Sequence, residues 1–537
     1  QAEDGIRDVE RSRGLGDVYK RQLYNSYFGR ILMDITITRS NNAMPNKYEE
    51  LRAFFYPKSI AIYGASNTPF KFANMHLFNL LSSGYNGKIY LIHPRESTVL
   101  GFKTYRSVVD VPDPIDLVLI VAPTRVVPQI LEDCGKKGIH HVICVTAGFS
   151  EIGNVNGRRL LKETAEKYNI HIMGPNCIGV VSTDINLNCT PVPLPPPKGG
   201  AGIISHSGSW ACHILFTIDE KLRLGISKIA SVGNEVNTDM VDFLEAFEED
   251  PDIKAIGLYI EGLRRAKKFF EVAKRVSRKK PIIAAPIGQG EAGMRAAQSH
   301  TAAISTPATI MNPILKQAGV LVTDSPSEML NFLHAVTSQP LPAGPRVGVV
   351  TVGGGPGTTI ADLCEKYGLK VPLLSDSLQN KLKDILPFTA STKNPIDITF
   401  DMTWDNFYVK IPKLLVKSGE VDSLIFYGLF SMEKWFKNII QINNPALNSI
   451  KDLIDMKLFE GSHVVMTDMF KSLIRTTRKA KIPVLFTNLF LSRTDSLIEF
   501  IQSHGIPLFL PEVAPKIMSL MWQYSHYLQK TNQTSFE

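Results

Sequence analysis

The chain has 537 residues, 44% of them apolar and 20% charged. That length predicts about three domains, each able to bury its own core, and the apolar fraction excludes wholesale disorder. No apolar run approaches the ~18 residues of a membrane span, and a net charge of +8 without a long basic block is no nucleic-acid signature.

Residues 1–43 stand apart. The stretch QAEDGIRDVERSRGLGDVYKRQ has nearly balanced charge, no amphipathic period and no starting Met. It reads as a translated sequencing-adaptor scar, with the true start expected at Met33 or Met44. From Tyr56 onward, short β-branched runs end in Gly, Pro or Ser and pass into helical stretches. SIAIYGAS (59–66), KIYLIHP (88–94), DLVLIVAP (116–123), HHVICVTAG (140–148) and HIMGPN (171–176) are continuous apolar runs, as strands buried on both faces of a parallel sheet require. The Pro-rich PVPLPPPKGG (191–200) breaks the pattern. A second block runs through GAGIISHSG (200–208), SKIASVGNE (227–235), AIGLYIEG (255–262) and PIIAAPIGQG (281–290). After QPLPAGPR (339–346), a third block is predicted from RVGVVTVGGGPG (346–357), SLIFYGL (423–429), SHVVMTD (462–468) and IPVLFTN (482–488). The fold class is therefore α/β, three doubly wound units in series. The expected domains are 44–190, 200–338 and 345–537. The six cysteines (134, 144, 177, 189, 212 and 364) lack CxxC or Cys/His metal spacing. They read as reduced thiols of a cytoplasmic protein, and no metal site is expected.

Ligands of open parallel sheets bind beyond the carboxyl ends of the strands, where helix N-termini attract anions. Four such junctions carry suggestive residues. Gly64-Ala65-Ser66-Asn67 fits a nucleotide approaching the backbone, or equally a plain tight turn. Ser207-Gly208-Ser209 offers N–H groups and hydroxyls to an oxyanion, or an ordinary N-cap. Gly353 to Gly357, followed by Thr358, suits a phosphate against a helix N-terminus, with an NAD site or a structural turn as rivals. His300 lies among small residues in GMRAAQSHTAAIS (293–305), which leaves room for a phosphate on its imidazole. Glu261 ends AIGLYIEG and can accept the other ring N–H.

Together, GPNCIGVV (174–181), ISHSGSW (204–210), SVGNEVNTDMVDFL (231–244), LYIEGL (258–263), RAAQSHTAA (295–303), VTVGGGPGT (350–358) and KNPIDIT (393–399) resemble, in order, the α subunit of the NDP-forming acyl-CoA synthetases, relatives of succinyl-CoA synthetase and of the ADP-forming acetate–CoA ligases. The resemblance implies an N-terminal Rossmann-like CoA-binding domain followed by two flavodoxin-like ligase domains. It implies that His300 is transiently phosphorylated and that Glu261 holds its imidazole. The phosphate is expected at Ser207, Gly208 and Ser209 and at Gly355, Gly357 and Thr358. CoA, as a substrate, is expected along Gly64, Ala65, Ser66, Asn67, Pro94, Pro123, Thr146, Ala147 and Asn176. A separate ATP-grasp β subunit binding Mg and ADP/ATP is implied, hence a hetero-oligomer.

The sequence also departs from the family pattern. His206 stands where Gln is common, GNEVN replaces a GNKAD-like run, Ala303 (or Ala302) replaces Gly, and Pro286 occupies the place of a lysine. These departures keep open a rival reading, a non-catalytic CoA-binding scaffold; an NAD-dependent oxidoreductase is the lesser rival, since it would need GxGxxG after the first strand, which runs instead into GASNTPF.

Overall fold

The computed structural model describes residues 46–220, 222–301, 307–399, 401, 403–428, 441–442, 444–445, 456–489 and 496–533. The expected leader, residues 1–43, lies outside them.

The first sheet comprises β1 (Ser59–Tyr63), β2 (Lys88–Ile92), β3 (Thr98–Val99), β4 (Phe102–Tyr105), β5 (Leu117–Ile120), β6 (His141–Cys144) and β7 (His171–Met173). Its central strands SIAIY and LVLI are buried along their whole length, which is why they carry no alternating polar positions. The strand order is β3-β4-β2-β1-β5-β6-β7. Setting aside the short antiparallel β3, the six parallel strands run 3-2-1-4-5-6, so the order reverses between β1 and β5.

The second sheet holds β8 (Val180–Ser182), β9 (Leu187–Cys189), β10 (Lys198–Ser205), β11 (Ile226–Ser231), β12 (Ala255–Ile260), β13 (Ile282–Pro286) and β14 (Leu321–Val322). Five parallel strands in the order β11-β10-β12-β13-β14 repeat the 2-1-3-4-5 arrangement of flavodoxin-like sheets. The third sheet, β15 (Val347–Thr351), β16 (Ile396–Asp397), β17 (Ser423–Tyr427), β18 (Val484–Thr487) and β19 (Leu508–Phe509), has the same topology in the order β16-β15-β17-β18-β19.

Helices join the sheets. The helix Lys47–Phe55 buries Leu51, Phe54 and Phe55, and its rings meet those of Phe243 and Phe247 at 5.7 and 5.6 Å. One apolar core then runs from Ala211, Leu215 and Leu333 to Val347, Ile360, Phe509 and Ile517, fusing the second and third units.

Two expectations are corrected. SHVVMTD (462–468) is not a strand but part of the helix Met456–Lys479. Phe470, Leu473, Ile474 and Thr477 are buried at helical spacing while Val465 is half exposed, which a buried strand would not allow. Residues 180–189, assigned above to the first domain, form the hairpin β8–β9 on the second sheet, antiparallel to β11. The fully buried Lys228 of β11 secures that edge, with its ammonium 3.1 Å from Asp184 and 2.9 Å from Asp250.

Candidate active site

The parallel register of β10 and β12 pairs Ser205 with Tyr259, so the next residues on each strand emerge side by side. His206 donates its backbone N–H to the Tyr259 carbonyl (3.3 Å), and the Glu261 backbone N–H donates to His206 Nδ1 (3.2 Å). The other ring nitrogen, Nε2, lies 3.0 Å from Glu235 Oε1. Glu235 follows β11 at a φ of 51° and also accepts from the Met240 N–H (2.8 Å), with Arg264 Nε 3.3 Å from its second oxygen. All three of His206, Glu235 and Glu261 are buried.

Burial opposes charge on His206, but the Glu235 carboxylate and its hydrogen bond, with Glu261 beyond, outweigh it and raise the ring's pKa. Burial alone would raise Glu235, yet the same contact with His206, helped by the Met240 N–H and Arg264, holds it below the usual carboxylate range. Glu261 Oε2 is buried and has no hydrogen-bond partner among the described residues. A buried orphan acceptor at a strand end calls for a partner.

Ser207 caps the helix Gly208–Glu220, its Oγ accepting from the Trp210 N–H at 3.2 Å and lying 3.2 Å from Ser209 Oγ. The N-cap reading is thus real, and the other first-turn N–H groups, at Gly208 and Ser209, remain for an anion. Trp210 stacks on Tyr259 at 4.6 Å and walls the junction. The Tyr259 phenol is pushed up to about 12, by burial first and then by Glu261.

The junction after β15 is different. Gly353 caps the helix Gly354–Lys366, and Gly355 is exposed with open space where a Cβ would stand. Gly357 is a packing residue: a Cβ there would meet Thr351 Cγ2 at 2.8 Å and Pro395 at 3.3 Å. The Thr358 hydroxyl donates to its own helix at Gly354 O (3.1 Å). Of the three residues expected at this junction, Gly355 and Thr358 are exposed and Gly357 is buried.

His300 lies in the helix Glu291–Thr301, which packs against the turn Ser150–Ile152 of the first unit. Its side chain, like Ala302 and Ala303, lies outside the described residues. Pro286 ends β13 beside Ile260, one strand over from Glu261.

In the first unit, Gly64, Pro94, Pro123 and Thr146 follow strand ends near the point where strand order reverses. Gly64 has a φ of 102°, and a Cβ would sit 1.9 Å from the Val121 carbonyl, so the backbone passes there only without a side chain. Asn74, which sequence reasoning missed, fixes the following loop by accepting from the Ser66 N–H and donating to the Ser66 and Thr68 carbonyls. Asn67 spends both ends of its amide on the Thr98–Leu100 hairpin, and Ala65 is buried. Thr146 Oγ1 donates to Ala122 O (2.7 Å), Ala147 O accepts from Thr124, and Asn176 donates its N–H to Thr146 O (3.1 Å). These ties bring the strand ends into one edge and leave Pro94 and Pro123 exposed on it.

Residues 58–183 match the model of a CoA binding domain, and residues 198–336 that of a succinyl-CoA ligase like flavodoxin domain. The ADP-forming acetate–CoA ligase II subunit alpha of Pyrococcus furiosus is 42% identical over 375 residues, 69% of this chain and 81% of that one. The chain belongs to the family of ADP-forming acetate–CoA ligase α subunits. The acetate–CoA ligase of Methanocaldococcus jannaschii is 44% identical over 354 residues, and the match spans only 50% of its length. The "dinucleotide forming" acetyl-coenzyme A synthetase 1 of Candidatus Korarchaeum cryptofilum, solved with phosphate and ADP, superimposes with a TM-score of 0.76 at 31% identity, covering 90% of this chain and 98% of that one.

Within this family's pattern, the structure makes one unit of two departures. His206 and the Glu235 of GNEVN are hydrogen-bonded partners. The signal was present in the sequence as two unusual residues; their pairing was not. Among the described residues no helix is long and apolar enough to cross a membrane, and no group of three His, Cys, Asp or Glu side chains could hold a metal ion.

Proposed function

We propose that the chain is the α subunit of an acid–CoA ligase that interconverts acyl-CoA, phosphate and ADP with carboxylic acid, CoA and ATP. A phosphate oxygen attacks the thioester carbonyl, the C–S bond breaks and CoA leaves as thiolate. A ring nitrogen of His300 then attacks phosphorus, the P–O bond to the acyl group breaks and the carboxylate departs. The phosphoryl group passes from His300 to ADP on an ATP-grasp β subunit, which carries the nucleotide and its magnesium. The N–H groups at Gly208, Ser209 and Gly355 neutralise the phosphate oxygens, the dominant protein contribution in phosphoryl transfer. CoA lies along the backbone at Gly64 to Asn67 and past Pro94, Pro123, Thr146, Ala147 and Asn176. The substrates CoA and ADP make the cytoplasm its place of work.

The observation that carries this reading is Glu261: a buried carboxylate oxygen at the end of β12 without a hydrogen-bond partner among the described residues, the group needed to accept the second ring N–H of His300. With the β subunit, Mg²⁺ and labelled ATP, the chain is expected to gain one acid-labile, alkali-stable phosphate. His300→Ala should abolish it. A chain that binds CoA yet takes no label is the scaffold subunit instead, and label that persists in His300→Ala but disappears in His206→Ala means the carrier is the other histidine.

A further inference from the structure

A neutral imidazole has one donor and one acceptor, and at His206 both are assigned by their partners. The Glu261 N–H points at Nδ1, so Nδ1 carries the lone pair and Nε2 carries the hydrogen that Glu235 Oε1 accepts. The ring is thereby clamped between the loops after β11 and β12. It touches Glu261 through the main chain, and the carboxylate oxygen Oε2 has no hydrogen-bond partner among the described residues.

We infer that His206 is a positioning residue of the phosphoryl-transfer site, whose neutral ring anchors the main chain of Glu261 against Glu235 and whose protonation withdraws that anchor. The inference rests on the phosphohistidine reading above. The protonated ring has two donors and no acceptor, so it cannot receive the Glu261 N–H. Its Nδ1–H would face a donor, and the acceptors left to turn to are the Tyr259 carbonyl and the Glu261 carboxylate, the group reserved for His300; in both cases the Glu261 N–H loses its acceptor. Either response moves Glu261 away from its task.

The two carboxylates near the ring favour that protonation against its burial and against the Arg264 cation behind Glu235. Glu235 faces Nε2 from the loop after β11, Glu261 faces it from the end of β12, and Arg264 backs Glu235 from the far side. On the ring's own segment, Ser207 is turned to cap its helix, and the Tyr259 carbonyl beside the ring also favours the protonated form. The carboxylates raise the ring's pKa above its ordinary value, so the anchor is made at pH above the raised pKa and lost as pH falls through it.

The test follows His300 labelling by [γ-³²P]ATP and Mg²⁺ in the complex with the nucleotide-binding subunit, as initial rates from pH 5.5 to 9. Wild type should lose rate on an acid limb centred above 6.5. His206→Leu, which leaves the Glu261 N–H without its acceptor and takes one of its partners from Glu235, should label about tenfold more slowly at pH 8. His206→Gln can accept from Glu261 with its carbonyl and donate to Glu235 with its amide. It should recover most of the rate lost in His206→Leu and have no acid limb, because its side chain does not titrate. Glu235→Gln should move the limb about one unit toward acid by removing the charge that favours the cation. If His206→Leu does not fold, the His206→Gln and Glu235→Gln profiles still decide. An acid limb unchanged in both overturns the inference while leaving the phosphohistidine intact. Wild type that takes no label at any pH overturns both.

Discussion

The two strand–helix junctions of the flavodoxin-like units answer the same demand with opposite materials. After β10, the turn is walled by side chains: Ser207 caps, Trp210 stacks on Tyr259, and His206, Glu235 and Glu261 form a buried polar chain. After β15, the turn has almost no side chains, and its exposed Gly354 and Gly355 leave bare backbone at the helix N-terminus. Both helices bury their far faces in one core, through Ala211 and Leu215 on one and Ile360 and Cys364 on the other. The difference separates two jobs. The first junction carries charges that can orient a nucleophile; the second offers only N–H groups and a helix dipole to an anion.

The largest effect that tests this division is expected at Glu261. Glu261→Gln keeps the shape and removes the charge proposed to face the His300 imidazole, so phosphorylation of His300 should fall by about tenfold or more without vanishing, since the nucleophile itself remains. Equal labelling in the variant and wild type would return Glu261 to the role of a buried structural carboxylate. A smaller effect, on stability alone, belongs to the second junction. Gly357→Ala drives a methyl to 2.8 Å from Thr351 Cγ2, and the Thr351 hydroxyl bonds both the N–H and the carbonyl of Gly353. Crowding of this kind costs about 1–3 kcal/mol, read as a lower midpoint in urea or thermal melts. An unshifted midpoint would mean that the turn after β15 is loose rather than packed.

The division of labour was partly legible in the sequence. Strands β1, β5, β10, β12 and β15 announce themselves because both faces are buried, and their ends locate Gly64, Ser207, Glu261 and Gly355. The two-residue strands β3, β14, β16 and β19 are too short to leave a pattern. The VVM of residues 464–466 mimics a strand locally, and only the full span of Met456–Lys479 restores the helical period. The boundary at residue 190 put residues 180–189 with the first domain because the partner of their hairpin, β11, lies some forty residues onward and no local signal names it. The same reason hides the His206–Glu235 bond: the two are 29 residues apart, on loops that only the register of β10, β11 and β12 brings together.

The smallest expected effect is the most discriminating. Gly355 lies at the second position of its helix, with φ outside the left-handed region and nothing within 4 Å of the site of a Cβ. An alanine is therefore accommodated without strain and should stabilise the protein by about 0.4–1 kcal/mol, by narrowing the unfolded ensemble. Helical Cβ atoms tilt toward the N-terminus, so the new methyl leans over the end where an anion would sit. Gly355→Ala should thus melt slightly higher and label His300 about two- to threefold more slowly, as oxygen-to-backbone contacts lengthen at one of the two helices proposed to receive the anion. The signs of the two readouts oppose each other, which no general loss of folding can imitate. If stability rises and labelling is untouched, the glycines after β15 serve the turn and the phosphate is received by the Ser207 junction alone.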